Sequence, residues 1–104
     1  MAKGYWIAHV DVSDAEAYKR YVAANAAPLA MYGGRFIVRG GPYDCVEGKT
    51  RTRNVVIEFP SLEAAAACYQ SPEYQAVKAL RLQAAEADFV IIGGYDGPQP
   101  GEAA

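Results

Sequence analysis

The chain has one histidine, His9, set among alternating apolar residues. Imidazole is the side chain best suited to proton transfer near neutral pH. Arg39 and Glu58 each lie at the edge or inside of a short β-branched run. An arginine can clamp a carboxylate through two parallel hydrogen bonds, or stabilise an enolate. A glutamate can orient an imidazole or act as a base itself. Together the three make a candidate catalytic set: His9 as acid and base, Arg39 as anion stabiliser, Glu58 as orienting group or base. The same three would serve equally as ion-paired contacts in a subunit interface, because buried charges need partners. Arg53, Tyr43 and Tyr74 are candidate ligand-binding residues: Arg53 opens a strand, Tyr43 lies in a loop, and Tyr74 follows a helix cap. Arg51 reads as a solvated loop residue, and Tyr18 and Tyr21 as helix-packing residues.

Other chemistries lack their residues. Zinc usually needs four ligands. Beyond His9 the sequence offers Cys45 and Cys68, with no C-x-x-C spacing, so no metal site is expected. Gly33-Gly34 and Gly40-Gly41 are turn glycines without the G-x-G-x-x-G spacing of a dinucleotide site, and no cofactor is expected. Serine is scarce and falls at helix starts, which leaves no Ser/His/Asp set. A net charge of −2, with basic residues that form no long stripe, argues against nucleic acid. No apolar run approaches about 18 residues, so no membrane span is expected. The first residues contain no apolar signal core. The expectation is a cytoplasmic protein with two reduced, mostly structural thiols.

The elements that must position these residues follow from periodicity. Residues 5–12 are aromatic and β-branched and predict a strand. Ser13-Asp14-Ala15-Glu16 fits a capping box with Ser13 as the cap. Ala17, Tyr18, Tyr21, Val22, Asn25 and Leu29 then recur at helical spacing on one apolar stripe. Pro28 should kink or shorten that helix, and Gly33-Gly34 should end it. Residues 35–40 and 53–59 predict two more strands, joined by a polar loop. Ser61 caps a short helix. Ser71-Pro72 opens another that runs to about Ala87. Residues 88–95 predict the last strand.

The order β-α-β-β-α-β predicts an α+β, ferredoxin-like domain: a four-stranded antiparallel sheet with the helices on one face. One domain is expected over residues 1–96, with a flexible C-terminal tail over 97–104. Alternation puts Trp6, Ala8, Val10, Val12, Phe36, Val38, Val55, Ile57 and Phe59 under the helices. It puts Tyr5, Ile7, His9, Ile37, Arg39, Val56 and Glu58 on the opposite face. That second face is too apolar to leave wholly in water. A partner subunit is its simplest cover, and two facing sheets would enclose a cavity for a small molecule.

Four stretches carry a family resemblance: Tyr5-Trp6-Ile7; Tyr32-Gly33-Gly34-Arg35-Phe36-Ile37-Val38-Arg39-Gly40-Gly41; Arg53-Asn54-Val55-Val56-Ile57-Glu58-Phe59-Pro60-Ser61; and Tyr69-Gln70-Ser71-Pro72-Glu73-Tyr74-Gln75, with Arg81 beyond. Over residues 3–96 the chain resembles the domain of unknown function 1330 family. The resemblance implies the dimeric α+β barrel superfamily, in which subunits pair sheet to sheet. It brings no catalytic roles. Cys68 stands where an aromatic residue is usual, and Gly93 where a glutamate is usual. Three readings stay open: a cofactor-independent enzyme acting on a small anionic, partly apolar metabolite; a non-catalytic binding module with the same cavity; and a purely structural homodimer.

Overall fold

The computed structural model describes residues 2–102. The chain runs β1 (Gly4–Val12), α1 (Ala15–Ala24), α2 (Ala26–Met31), β2 (Arg35–Arg39), β3 (Arg53–Phe59), α3 (Leu62–Gln70), α4 (Pro72–Ala84) and β4 (Ala85–Gly93). The four strands form one antiparallel sheet in the order β2-β3-β1-β4. This is the expected ferredoxin-like α+β arrangement, with each crossover broken into two helices.

Each break has a chemical cause. Pro28 has no N–H to donate to the Ala24 carbonyl, so the first helix stops there and restarts after Asn25. Ser71 precedes Pro72 and is held extended, with φ −63° and ψ 146°. Its hydroxyl accepts from the Tyr74 N–H at 3.1 Å and donates to the Cys68 carbonyl at 2.7 Å, serving both helices at once. The cap of α1 is Asp14, not Ser13: the Asp14 carboxylate accepts from the Ala17 N–H at 3.1 Å. Ser13 instead donates its hydroxyl to the Ala84 carbonyl at 3.0 Å, tying the start of α1 to the end of α4. β4 starts at Ala85, three residues earlier than expected, because it pairs with β1 from Val12↔Ala85 onward. In the tail, the Glu102 N–H returns to the Gln99 carbonyl at 2.9 Å; residues 103 and 104 lie outside the described residues.

The core lies between helices and sheet. Trp6 is at its centre, with ring centroids of Tyr74 at 4.8 Å and Phe59 at 5.1 Å. Its indole N–H donates to the Ala65 carbonyl at 2.8 Å, so this large side chain is buried with its polar group satisfied. Among the described residues, no helix covers the opposite face of the sheet. Ile37, Val38, Val90 and Ile92 stand exposed there. No helix among the described residues is long and apolar enough to cross a membrane.

Candidate functional site

The decisive local feature is a bulge in edge strand β2. Arg35 pairs with Glu58 and Phe36 with Ile57, but Val38 then pairs with Val56 and Arg39 with Val55. Ile37 is the extra residue. A bulge shifts alternation by one, so every later side chain changes face. Val55 belongs to the buried, helix-side set. Arg39 therefore joins Phe36 on the helix side, and its guanidinium carbon lies 4.0 Å from the Phe36 ring centroid. Val38 turns outward in its place.

This corrects the expected catalytic set. Arg39 does not share a face with His9 and Glu58. His9 and Glu58 do share the open face, but His9 lies opposite Asn54, and Glu58 opposite Tyr5. Four residues along β3 separate them by roughly 13 Å, beyond hydrogen-bond reach. Glu58 instead accepts from the Tyr5 hydroxyl at 3.4 Å.

On the helix side, Arg39 meets Arg53. Arg53 opens β3 on the same face as Val55, and its guanidinium lies across Gly40. A Cβ at Gly40 would collide with that guanidinium, and Gly40 also adopts φ +65°, so only glycine suits this corner. The two arginines border a partly open cavity of about 20 Å³ whose other walls include Trp6, Tyr18, Tyr21, Asn25, Phe36 and Phe89. The Arg53 guanidinium carbon stands 5.6 Å from the Tyr18 ring centroid. Among the described residues, neither Arg39 nor Arg53 forms an ion pair. Two buried polar atoms of cavity-lining residues lack hydrogen-bond partners: Asn25 Oδ1 and Arg53 Nε. Asn25 is only 5% exposed, placed inward by the helix break that Pro28 enforces.

Behind the cavity lies a tyrosine–arginine cluster. The hydroxyls of Tyr21 and Tyr74 are 2.7 Å apart. Arg81 is buried, with its guanidinium carbon 4.3 Å from the Phe89 ring centroid and 5.9 Å from that of Tyr21. Burial pushes the Tyr74 phenol far above its ordinary range, with the Tyr21 hydroxyl adding to the effect, so Tyr74 is a neutral hydroxyl at any ordinary pH. Burial also raises Tyr18, against an opposing pull from Arg53. Burial disfavours the charge on Arg81, but the hydroxyls of Tyr74 and Tyr21 more than offset it, and the guanidinium is held more firmly protonated than usual. Tyr74, expected to meet a ligand, is fully buried and does not line the cavity; it packs behind two of its walls, Trp6 and Tyr21. Tyr43 is exposed and lines neither this cavity nor the groove described next. Asn25 and Arg81 were not among the expected site residues.

The open face holds a shallow groove of about 420 Å³ lined by His9, Asp11, Lys49, Thr50, Arg51 and Asp88. His9 Nδ1 donates to Asn54 Oδ1, since a carboxamide oxygen can only accept; in the neutral ring this leaves the lone pair on Nε2. Arg51 is not a solvated loop residue. Its guanidinium reaches Asp11 at 2.8 Å, Asp88 at 2.9 Å and Glu86 at 3.4 Å, latching the β2–β3 loop onto β1 and β4. The Thr52 N–H bond, followed by Arg51, holds the Asp11 carboxyl below its usual value. The bonds to Asp88 and Asp11 hold Arg51 well above its own. Asp11 and Asp88 are thus already paired with Arg51. The cation-rich helix-side cavity has no such counterweight.

The sequence of residues 3–95 matches the family described as Domain of unknown function (DUF1330). The chain belongs to the DUF1330 family. No curated protein matches it. Among solved structures, this DUF1330 chain is similar to the RPA0582 protein of unknown function from Rhodopseudomonas palustris. That likeness has a TM-score of 0.74 at 16% identity, covering 92% of this chain and 85% of the other. The methylated form of RPA0582 gives 0.75 at 18% identity, covering 97% and 84%. SnoaB, a cofactor-independent oxygenase from Streptomyces nogalater, gives 0.64 at 12% identity, covering 98% and 100%. At these identities the likeness establishes the shared fold.

Proposed function

We propose that this DUF1330 chain binds a small anionic molecule with an apolar or aromatic body, in the cavity between helices and sheet, and works as a homodimer. The carrying observation is the pair Arg39 and Arg53: two guanidiniums at an aromatic cavity with no carboxylate among the described residues to neutralise them. An uncompensated charge beside a low-dielectric pocket is costly, and an incoming carboxylate or enolate offsets that cost through charge-assisted, bidentate bonds. As it stands, about 20 Å³ accommodates little more than one water, so a ligand body enters by displacing the wall. Arg39 is the movable part. It is exposed, and its stacking on Phe36 is worth only about 0.5–1 kcal/mol, so it opens at small cost.

The open face supports the dimer. Val90 is 51% exposed, Ile37 48% and Ile92 46%, an apolar surface that a second copy of the sheet would cover. His9 and Glu58 belong to that contact as hydrogen-bonded groups, not to the ligand cavity. Conversion of the ligand without a cofactor, the activity class of SnoaB, would draw on the same arginine-stabilised anion; assaying the bound ligand for turnover separates an enzyme from a binder.

Isothermal titration with phenylacetate tests the binding reading. Wild-type protein should bind it, and Arg39→Met and Arg53→Met should each weaken it at least tenfold. Equal binding by all three proteins, or none by wild type at millimolar ligand, overturns the reading. Sedimentation tests the dimer: Val90→Lys should convert a dimer to a monomer, and a wild-type monomer would refute the covered face.

A further inference from the structure

Resting on that reading, we infer that Asn25 selects ligands that carry a hydrogen-bond donor, a hydroxyl or an amine, next to their anionic group. Asn25 occupies a position where the helical stripe calls for an apolar residue: Tyr18 and Tyr21 precede it and Leu29 follows, all buried. A leucine there would pack without a polar atom to satisfy. The asparagine lines the cavity and keeps a carboxamide oxygen that is buried and has no partner. Arg53 lines the same cavity and its Nε is likewise buried and unpartnered, so two residues of one cavity wall carry one unmet acceptor and one unmet donor.

A plain carboxylate answers only half of that pattern. Its oxygens accept from the guanidinium and leave Asn25 Oδ1 orphaned, or repel it outright. A 2-hydroxy or 2-amino carboxylate answers both: the anionic oxygens accept from Arg53 and Arg39, and the adjacent O–H or N–H donates to Asn25. Two neighbouring donor and acceptor groups on one small headgroup also suit a cavity too small for separate ones. A site with a buried acceptor discriminates strongly against analogues lacking the donor, because the acceptor then stays desolvated and unpaired.

Matched pairs test this by isothermal titration: mandelate against phenylacetate, and glycolate against acetate. The hydroxylated member should bind roughly 10- to 100-fold more tightly to wild-type protein. In Asn25→Leu that advantage should fall to about threefold or less. Equal binding within each pair by wild type overturns the inference. A resident water satisfying Asn25 for every ligand would give that result. The anion reading survives such a result if Arg53→Met still weakens both members. If no member of either pair binds at millimolar concentration, both fall together. Should Asn25→Leu not fold, the wild-type comparison alone decides.

Discussion

Arg53→Met should leave the protein at least as stable while weakening its anion affinity. Methionine keeps an unbranched stem that can follow the course of the arginine over Gly40. The guanidinium that leaves takes with it a buried, unpartnered Nε, a defect that costs about 1–3 kcal/mol. Its stacking with Tyr18, at 5.6 Å, is lost as well and returns about 0.5–1 kcal/mol. Arg53 is half-buried, so water already screens part of its charge and the defect costs about 1–2 kcal/mol, the lower half of that range. The net expectation is no loss and a gain of up to about 1.5 kcal/mol, or a thermal midpoint higher by up to roughly 12 °C at about 4–8 °C per kcal/mol for a domain this size. Urea unfolding and calorimetry measure it. Most point substitutions destabilise, so a gain is an unforced outcome. A loss of about 1 kcal/mol or more would show that the guanidinium holds the fold together, and the case for a ligand-directed arginine would collapse. The same variant should weaken phenylacetate by roughly 10- to 150-fold, the worth of charge-assisted bonds of about 1.5–3 kcal/mol.

Tyr74→Phe removes one side of the 2.7 Å hydroxyl pair and strips Arg81 of a polar neighbour; urea unfolding should show a loss of about 1–2 kcal/mol, and an unchanged midpoint would mean that Tyr21 finds equal partners elsewhere. Burial pushes the Cys68 thiol up to about 11, whereas Cys45 is exposed, so a thiol reagent at neutral pH should label one cysteine promptly and the second only on unfolding. Prompt labelling of both would refute the burial of Cys68. The depressed carboxyl of Asp11 contributes to the folded state above its unfolded value of about 3.9, and that contribution disappears as pH falls through its lower folded value. The Thr52 amide, which donates to Asp11 Oδ1 at 3.0 Å, should report this in NMR as a titration midpoint below 3.9 with no shift between pH 5 and 8. A midpoint at or above 3.9 would mean that the latch holds no charge preference.

Much of the fold is legible in the sequence because its signals are local and redundant. Alternation in residues 5–12 and 53–59 assigns Trp6, Ala8, Val10, Val12, Val55, Ile57 and Phe59 to the core face, and all are buried except Val12, which ends β1 and is 38% exposed. Ser71-Pro72 states its cap, and the cap forms. The errors arise where one local choice competes with another. Asp14 displaced Ser13 as the cap because the Ala84 carbonyl claims the serine hydroxyl. Arg51 read as solvated because its three carboxylates come from two other strands, Asp11 on β1 and Glu86 and Asp88 on β4, and only the sheet order brings them together. Asn25 was visible as the polar residue in an apolar stripe, and Arg81 as an arginine seven residues from Tyr74 on a buried face. A polar group on such a stripe marks either a satisfied network or a site, and the orphaned Oδ1 points to a site.

The bulge explains why the cavity itself was not legible. A period-two pattern carries no mark of where one residue drops out of pairing, and β2, as an edge strand with one neighbour, tolerates the loss. The exchange that it makes is unfavourable on packing grounds alone: Val38, an apolar side chain, turns out to 42% exposure, and Arg39 turns toward the core side. Regular pairing would have done the reverse, placing valine beneath the helices and arginine in water. A fold under selection for packing has no reason to make that trade. One under selection for a second guanidinium facing Arg53 does, because β2 and β3 join at this end of the sheet and only a change of face brings Arg39 to the same side. The polar Asn25 on the helix above fits the same logic. Three departures from the apolar pattern converge on one cavity: a bulge, a helix break and an unpaired arginine.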